Sequence, residues 1–364
     1  MNALRFELNA EENMLKLESE LKNKIYHPSR SILFFVKKPK LREIFAADFR
    51  DRVVHHILVG YLEPLFESLF IYDSYACRVN KGTHRAVIRA QSFIRKVSKN
   101  GKIRAYYLQL DIKSFFINID KEILLGLIRK RTKNKDVFWL AEKIIFHDCT
   151  RSYTLRDNKK LFKEVPENKT LFGKENKKGL PIGNLTSQFF ANVYLNELDQ
   201  FVKHNLRCRY YLRYTDDFIL LDSSREKLVP RIEEIGEFLK SRLGLRLHPK
   251  RMKLQPVLNG IDFLGYIIRR DYILIRRRVV NNMNTRLRYF ERCGAKGLDY
   301  GALEELRSSI QSYLGHFKWA NSYKLRENLF KRKIIKDYFG LADGRLVRKY
   351  GQGRIAPAGL TDER

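Results

Sequence analysis

Two adjacent carboxylates, Asp216 and Asp217, follow Tyr214-Thr215 and stand between an apolar run over residues 210–214 and another over 218–221. Both runs are short and rich in aromatic and aliphatic residues, which predicts a β-hairpin whose tip carries paired acids with no base beside them to neutralise the charge. A hairpin does not need that arrangement to fold. Like charges side by side repel, and divalent cations ligated by oxygen, as Mg²⁺ prefers, would offset the repulsion. On its own an Asp-Asp turn reads equally as a solvated turn, since Asp is a favoured turn residue. A third acid changes the balance. The apolar strand Ala105-Tyr-Tyr-Leu-Gln-Leu110 runs straight into Asp111, followed by Ile112-Lys-Ser-Phe-Phe116. If this strand lies beside the hairpin in one sheet, Asp111 joins Asp216 and Asp217 at one edge. Three such carboxylates would hold two metal ions, the clamp used for in-line displacement at phosphorus.

The composition asks for a phosphate-rich partner. Lys and Arg number 72 against 41 Asp and Glu, a net charge of +31 over 364 residues. Self-repulsion of that size destabilises a compact chain unless a polyanion screens it. No apolar run approaches the ~18 residues of a membrane-spanning helix, and there is no lipidation signature, so nucleic acid is preferred over a membrane surface. Between Arg269 and Arg292 eight basic residues face only two acidic ones, Asp271 and Glu291. Such a run is commonly a solvated face, but this one cannot compensate itself. The four cysteines are scattered without a Cys-x-x-Cys pair, which suggests neither a zinc site nor a disulfide framework and points to a reducing, cytoplasmic setting. Charges throughout the first 24 residues leave no signal-peptide core, so the mature protein is expected to begin near Met1.

With 44% hydrophobic residues the chain can build two or three subdomains. Asn9 with Glu12 resembles a capping box ahead of Met14, Leu17, Leu21 and Ile25, so an amphipathic helix is expected at the start. A turn at residues 78–82 leads into a helix capped by Thr83. The Lys-rich stretch from Arg151 to Lys178 lacks periodicity and reads as a mobile or hairpin-like excursion. Gly179-Leu-Pro-Ile-Gly183 opens a long apolar helix through Leu198, and residues 228–243 form another. Three amphipathic helices carrying Met283, Leu287 and Phe290, then Leu306, Ile310 and Phe317, then Leu325, Leu329 and Ile334, make a bundle, and the end of the chain reads as a loose tail.

Four ordered stretches now stand together: Leu110-Asp-Ile-Lys-Ser-Phe-Phe116, Gly179-Leu-Pro-Ile-Gly-Asn-Leu-Thr-Ser-Gln188, Tyr214-Thr-Asp-Asp217 and Phe263-Leu-Gly-Tyr266. In this order they resemble the palm motifs of reverse transcriptases, over about residues 40 to 340. Within that superfamily the chain resembles the enzymes of diversity-generating retroelements, relatives of the group II intron enzymes. Ile182-Gly183 with Ser187-Gln188 marks the subgroup, where group II intron enzymes have Gln-Gly and Ser-Pro.

The resemblance implies an α+β right-hand polymerase with fingers, a palm of antiparallel sheet packed on helices, and an α-helical thumb. It places the N-terminal helix and fingers at 1–104, the first catalytic strand of the palm at 105–120, an insertion at 121–178, the rest of the palm at 179–268, the thumb at 269–340 and a flexible basic tail at 341–364. It implies that Asp111 and Asp216 bind two Mg²⁺ ions, with Mn²⁺ as a substitute, that Asp217 supports them, and that the carbonyl of Ile112 is a further ligand. Phe116 matches the steric gate against a ribose 2′-hydroxyl; read alone it is an ordinary core aromatic. Arg78 matches a fingers position that reaches the incoming triphosphate, and read alone it is a solvated loop residue. Lys250 or Arg251 matches a residue that protonates leaving pyrophosphate, and the sequence does not choose between them. Arg276, Arg277 and Arg278 would follow the template–primer backbone. Ile182, with no donor or acceptor where relatives carry Gln, would loosen the nascent pair beside Gly183 and Gln188, or merely pack on the following helix.

The implied activity is error-prone synthesis of cDNA from a retroelement's template RNA, using deoxynucleotides and acting with a small, basic, oligomeric accessory protein, with errors at template adenines. Two other readings compete. One is a nucleic-acid-binding scaffold on a dead polymerase fold, which the intact Asp111, Asp216 and Asp217 oppose. The other is an antiviral, abortive-infection or group II intron-type reverse transcriptase, which Ile182 and Gln188 disfavour.

Overall fold

The structure, a computed structural model, describes residues 3–37, 40–294, 298–342 and 345–349. It divides into two compact units, Met1–Ala86 with Tyr106–Gln255, and Val87–Ala105 with Pro256–Arg364. Among the described residues no helix is long and apolar enough to cross a membrane.

The first unit begins with α1 (Ala3–Leu8) and α2 (Ala10–Lys22), then β1 (Ser31–Val36), β2 (Arg42–Ala46) and α3 (Phe49–Glu67). Helix α4 (Thr83–Val97) starts in this unit and runs into the second. There follow β3 (Tyr106–Asp111), α5 (Phe115–Asn118), α6 (Lys121–Arg129), α7 (Lys135–Ile145) and β4 (Tyr153–Leu155). Then come α8 (Leu185–Gln200), β5 (Tyr210–Tyr214), β6 (Asp217–Asp222), α9 (Arg225–Leu243) and β7 (Lys253–Pro256). The central sheet has the order β5-β6-β3-β7, with β3 antiparallel to β6 from Tyr106↔Asp222 to Asp111↔Asp217. Its strands supply Leu108, Leu110, Phe218 and Leu220 to a core shared with α3, α8 and α9. Helix α8 is covered nearly all round and buries Thr186, Ser187, Asn192 and Asp199 along with its apolar residues, so it shows no single apolar stripe. Helix α3 is started by the Asp48 carboxylate accepting from the Arg50 amide and buries Val54, Leu58, Leu62 and Phe66, one residue per turn.

Several local expectations fail, through backbone geometry at Asn9 and through partners distant in sequence at the others. Asn9 divides the first helix into α1 and α2 and makes no side-chain cap; its backbone, at φ −126° and ψ 47°, lies outside the extended conformation that aims a cap. Thr83 is the first residue of α4 rather than its cap, and its hydroxyl donates to the Tyr214 hydroxyl at 3.0 Å. The stretch from Arg151 to Lys178 is ordered. Strand β4 pairs parallel with β1, Ile32 opposite Thr154, completing a second sheet of order β2-β1-β4. The buried Glu43 carboxylate on β2 accepts from the Thr170 hydroxyl and from the Leu171 amide at 3.0 Å, and Phe45, Tyr153, Phe162 and Phe172 pack edge to face around it.

The second unit holds the rest of α4 and the antiparallel sheet β8 (Ile261–Phe263), β9 (Tyr266–Ile268) and β10 (Ile273–Ile275). Leu264 at φ +51° and Gly265 at φ +89° close a two-residue hairpin between β8 and β9. A Cβ on Gly265 would lie 3.2 Å from the His316 ring, which stacks on Tyr266. Helices α10 (Arg277–Gly294), α11 (Tyr300–Phe317), α12 (Tyr323–Phe330) and α13 (Lys333–Tyr338) bury Met283, Leu287, Phe290, Leu306, Ile310, Phe317, Leu329 and Ile334 together, with the expected third helix divided after Phe330 so that Ile334 lies on α13. A hairpin of β11 (Phe339–Ala342) and β12 (Arg345–Arg348) occupies part of what was expected to be a loose tail; residues 350–364 lie outside the described residues.

Candidate active site

Strands β3, β5 and β6 deliver the three carboxylates to one end of the central sheet. Asp111, the last residue of β3, stands directly across from Asp217, the first of β6, so both side chains lie on the same face. Tyr214 pairs with Asp217, leaving Thr215 and Asp216 as the two-residue turn. Thr215 takes φ +54°, a conformation that β-branched residues seldom adopt and that costs ~1–3 kcal/mol. The Ile112 amide donates to the Asp216 carbonyl at 3.1 Å, which locks the turn against the end of β3. Burial, then the neighbouring Asp111 charge, push the Asp216 carboxyl up to about 6, against the opposing pull of Arg42 and Arg251. Asp217 is held differently: the Gln109 amide donates to its two oxygens at 3.1 and 3.3 Å.

The turn is fixed from behind by Arg213, which is fully buried. Its Nε and Nη2 donate to the two oxygens of Asp199 on α8 at 2.8 and 2.6 Å. Nη2 also reaches the Ser74 hydroxyl at 3.0 Å, and Nη1 donates to the Thr215 carbonyl at 3.1 Å. A buried bidentate ion pair thus supports the strained residue beside Asp216. In the sequence Arg213 sits unnoticed inside an apolar run; its only signal was a charge in a strand with no exposed face to occupy.

A set of cations faces the carboxylates. Arg251 Nη1 donates to Asp111 Oδ2 at 3.0 Å, because residues 246–248 run alongside residues 111–113, with the His248 amide donating to the Asp111 carbonyl at 2.7 Å. Both basic candidates after Pro249 are exposed, and the contact with Asp111 is made by Arg251. Lys40 is held below the usual lysine range, by burial first and then by Arg251, Lys169 and Arg42. The sequence reading missed Lys40, Arg42 and Lys169. Arg42 opens β2 exposed, and its proximity to Asp216 is legible only once β2 is placed.

Arg78 is corrected. All three of its guanidinium nitrogens are engaged within its own neighbourhood, with Glu67 at 2.6–3.1 Å and with the Ile71 and Ser74 carbonyls at 2.7 and 2.8 Å, and it lies over the Phe70 ring. It clamps the turn after α3, and its side chain is 5% exposed. Reaching a triphosphate would break that set of bonds. Phe116 is half-buried on α5 against the Phe115 ring, and its carbonyl accepts from the Leu180 amide at 2.8 Å, so the two motif segments are tied together. The Ile182 carbonyl accepts from the Phe45 amide at 2.9 Å. Gly183 follows at φ +128°, and a Cβ there would meet Ile44 Cγ2 at 2.8 Å and the Phe45 carbonyl at 3.0 Å, so only glycine permits this approach. Gln188 is exposed on the first turns of α8. In the second unit Arg276 is paired with Asp262, while Arg277 and Arg278 project exposed from the start of α10.

Among the described residues no three Asp, Glu, His or Cys side chains stand close enough to enclose an ion by themselves. The donors nevertheless fit Mg²⁺, which is usually held by one or two carboxylates with substrate phosphates completing the shell. Asp111 and Asp216 supply two hard-oxygen groups whose mutual repulsion a cation would relieve.

Residues 36–268, more than half of the chain, match the family described as "Reverse transcriptase (RNA-dependent DNA polymerase)". Protein YkfC of Escherichia coli K12 is 25% identical over 306 residues, covering 73% of this chain and 74% of that one. The group II intron-encoded protein LtrA of Lactococcus lactis subsp. cremoris is 23% identical over 252 residues, 67% of this chain but 38% of its own length. Apo telomerase from Candida tropicalis superposes with a TM-score of 0.52 at 14% identity, covering 84% of this chain and 58% of that one, a likeness of fold. With its paired acids at the end of a β3–β6 ladder and its match across the whole motif region, the chain belongs to the reverse transcriptase family.

Proposed function

We propose that the protein is an RNA-directed DNA polymerase that copies a retroelement's template RNA into error-containing cDNA. One observation carries the reading: Asp111 and Asp216 meet at a sheet edge among four cations, Lys40, Arg42, Lys169 and Arg251. Lys40, held low by burial and by the neighbouring Arg251, Lys169 and Arg42 charges, gains from an anion brought beside it, and a nucleoside triphosphate supplies one. When bound, two Mg²⁺ ions activate the primer 3′-hydroxyl and neutralise the triphosphate and leaving pyrophosphate. Asp111 and Asp216 hold them, with the Ile112 carbonyl as a further ligand and Asp217 in support. Arg42 and Lys40 take the triphosphate contact expected of Arg78. Arg251, paired with Asp111 here, is the side chain that would contact the pyrophosphate oxygens.

The fingers, palm and thumb map onto the β2-β1-β4 sheet with its helices, the β5-β6-β3-β7 sheet with α8 and α9, and the helices α10 to α13. Phe116 stands as the gate that favours deoxynucleotides. Arg277 and Arg278 contact duplex backbone, with Arg276 fixed by Asp262. Gly183 brings its loop against β2, so the side chain of Ile182 borders the nucleotide; an apolar wall discriminates by only ~1–3 kcal/mol per methylene-sized difference, where hydrogen-bonding groups do better. That supports the diversity-generating subgroup, acting with a small basic accessory protein. Similarity to LtrA supports a second reading, a group II intron-type enzyme, whose motifs differ from this chain at Ile182 and Gln188.

Primer extension on a defined RNA, with and without co-purifying protein, followed by sequencing of the cDNA, tests the reading. Substitutions per template base should be frequent in the wild type and fall in Ile182→Gln. An equally active Ile182→Gln with an unchanged error spectrum removes Ile182 from fidelity, and absence of RNA-templated, metal-dependent extension removes the activity.

A further inference from the structure

A surface cleft of about 580 Å³ in the first unit is lined by four arginines, Arg5, Arg30, Arg50 and Arg156, with one acid, Asp48, among its walls. None of the residues placed in the candidate active site borders it. The parallel register of β1 and β4 sets Ile32 opposite Thr154, so by strand alternation Arg30, immediately before β1, and Arg156, immediately after β4, share a face with that pair. Thr154 lines the cleft with both of them. Both residues are exposed, and among the described residues neither guanidinium has a hydrogen-bond or ion-pair partner. Arg50 is fixed in place: its Nη2 pairs with Glu20, Nη1 donates to the Ser29 hydroxyl at 3.3 Å, and the group lies 5.1 Å over the Tyr26 ring.

The same sheet reaches the active site from its other end. Arg42 on β2 is opposite Val36 at the far end of β1, six residues from Arg30. At ~3.3 Å per residue the cleft lies roughly 20 Å from Arg42 along the strand. A cleft lined by one sign of charge concentrates anions, and exposed arginines grip phosphate in bidentate fashion. A polymer with regularly spaced phosphates is the anion that can occupy this cleft while another part of it sits at the carboxylates.

We propose that this cleft binds the sugar–phosphate backbone of the template RNA outside the template–primer path, anchoring a remote segment of the same molecule whose end is being copied. This rests on the RNA-templated reading above.

The experiment compares wild type, Arg30→Gln/Arg156→Gln and Arg30→Lys/Arg156→Lys on two substrates: a structured RNA of about 100 nucleotides, and a short RNA–DNA primer–template whose length covers only the active site. Affinity for the long RNA is measured against KCl concentration. Losing two phosphate contacts should lower the slope of log K against log salt by about 1.4, at ~0.7 per contact for single strands. The Lys variant should keep most of the slope, since each point charge remains. Extension of the short substrate should be unchanged in both variants, which also reports that they fold; if the wild type fails to extend it, the polymerase reading fails instead. An unchanged slope overturns the proposal, as does an equal loss on both substrates, which would place the cleft on the catalytic path. Binding of polyglutamate lost in the Gln variant while RNA binding persists would also overturn it, assigning the cleft to an acidic protein segment.

Discussion

Replacing Arg213 by Met removes the charge behind the catalytic turn while keeping a long side chain. Three consequences can be sized from the geometry. Asp199, with no exposure, is left as a buried, unpaired carboxylate, and breaking one side of such a pair costs ~3–5 kcal/mol. The Ser74 hydroxyl and the Thr215 carbonyl each lose a donor, at ~1–3 kcal/mol for a buried group left unmade, although these losses overlap and do not add fully. Thr215 then loses the contact that holds φ at +54°, and Asp216 shifts with it. Urea denaturation should therefore show at least about 3 kcal/mol lost, a large share of a typical stability of ~5–15 kcal/mol. The double variant Arg213→Met/Asp199→Asn separates positioning from stability. It removes the orphaned charge while leaving an oxygen for the Tyr211 hydroxyl, which donates to Asp199 at 2.7 Å, so much of the stability should return. Extension should not, because the Thr215 carbonyl still lacks its donor; a misplacement of about 1 Å at reacting groups costs on the order of 100-fold in rate. If the double variant extends primers at the wild-type rate, Arg213 serves stability alone. A single variant less than about 1 kcal/mol destabilised would contradict the buried pair itself.

Two further outcomes follow from other residues. Phe116→Val should admit ribonucleotides by opening space for the 2′-hydroxyl, seen as a rise in ribonucleotide relative to deoxynucleotide incorporation; an unchanged ratio makes Phe116 a core residue only. Burial holds His55 near 4, below its usual 6.5, so the folded protein binds fewer protons than the unfolded chain between those values. The stability from a neutral His55 is therefore complete above pH 6.5 and lost as pH falls towards 4, by at most about 3 kcal/mol. His55→Gln should flatten the loss of denaturation midpoint between pH 7 and pH 4.5, and an equally steep loss in that variant would assign the acid sensitivity elsewhere.

The elements that carry the chemistry were legible because their signals are local. A short polar turn between two apolar runs announces a hairpin, and the Thr215-Asp216 turn falls inside the stretch expected to form one. The helical spacing of Met283, Leu287 and Phe290 likewise carries directly into the buried face of α10. What was not legible depends on partners far away in sequence. β4 is a three-residue strand that exists through its pairing with β1, some 120 residues earlier, and Glu43 orders Thr170 and Leu171 from a comparable separation. Arg78 and Arg213 look alike as arginines in a string; only the placement of Glu67 and Asp199 shows that both are structural clamps. Arg42 and Lys40 carried no motif signal at all and became candidate site residues because β2 begins near Asp216.

The most direct test of the account is Mg²⁺-dependent extension of a DNA primer on an RNA template by Asp111→Asn and Asp216→Asn, measured alongside RNA affinity and denaturation midpoint. Both substitutions remove a carboxylate from a site where like charges already repel, so the account predicts extension reduced to background, RNA binding retained and folding stability unchanged or slightly raised. Wild-type extension rates in either variant would contradict it.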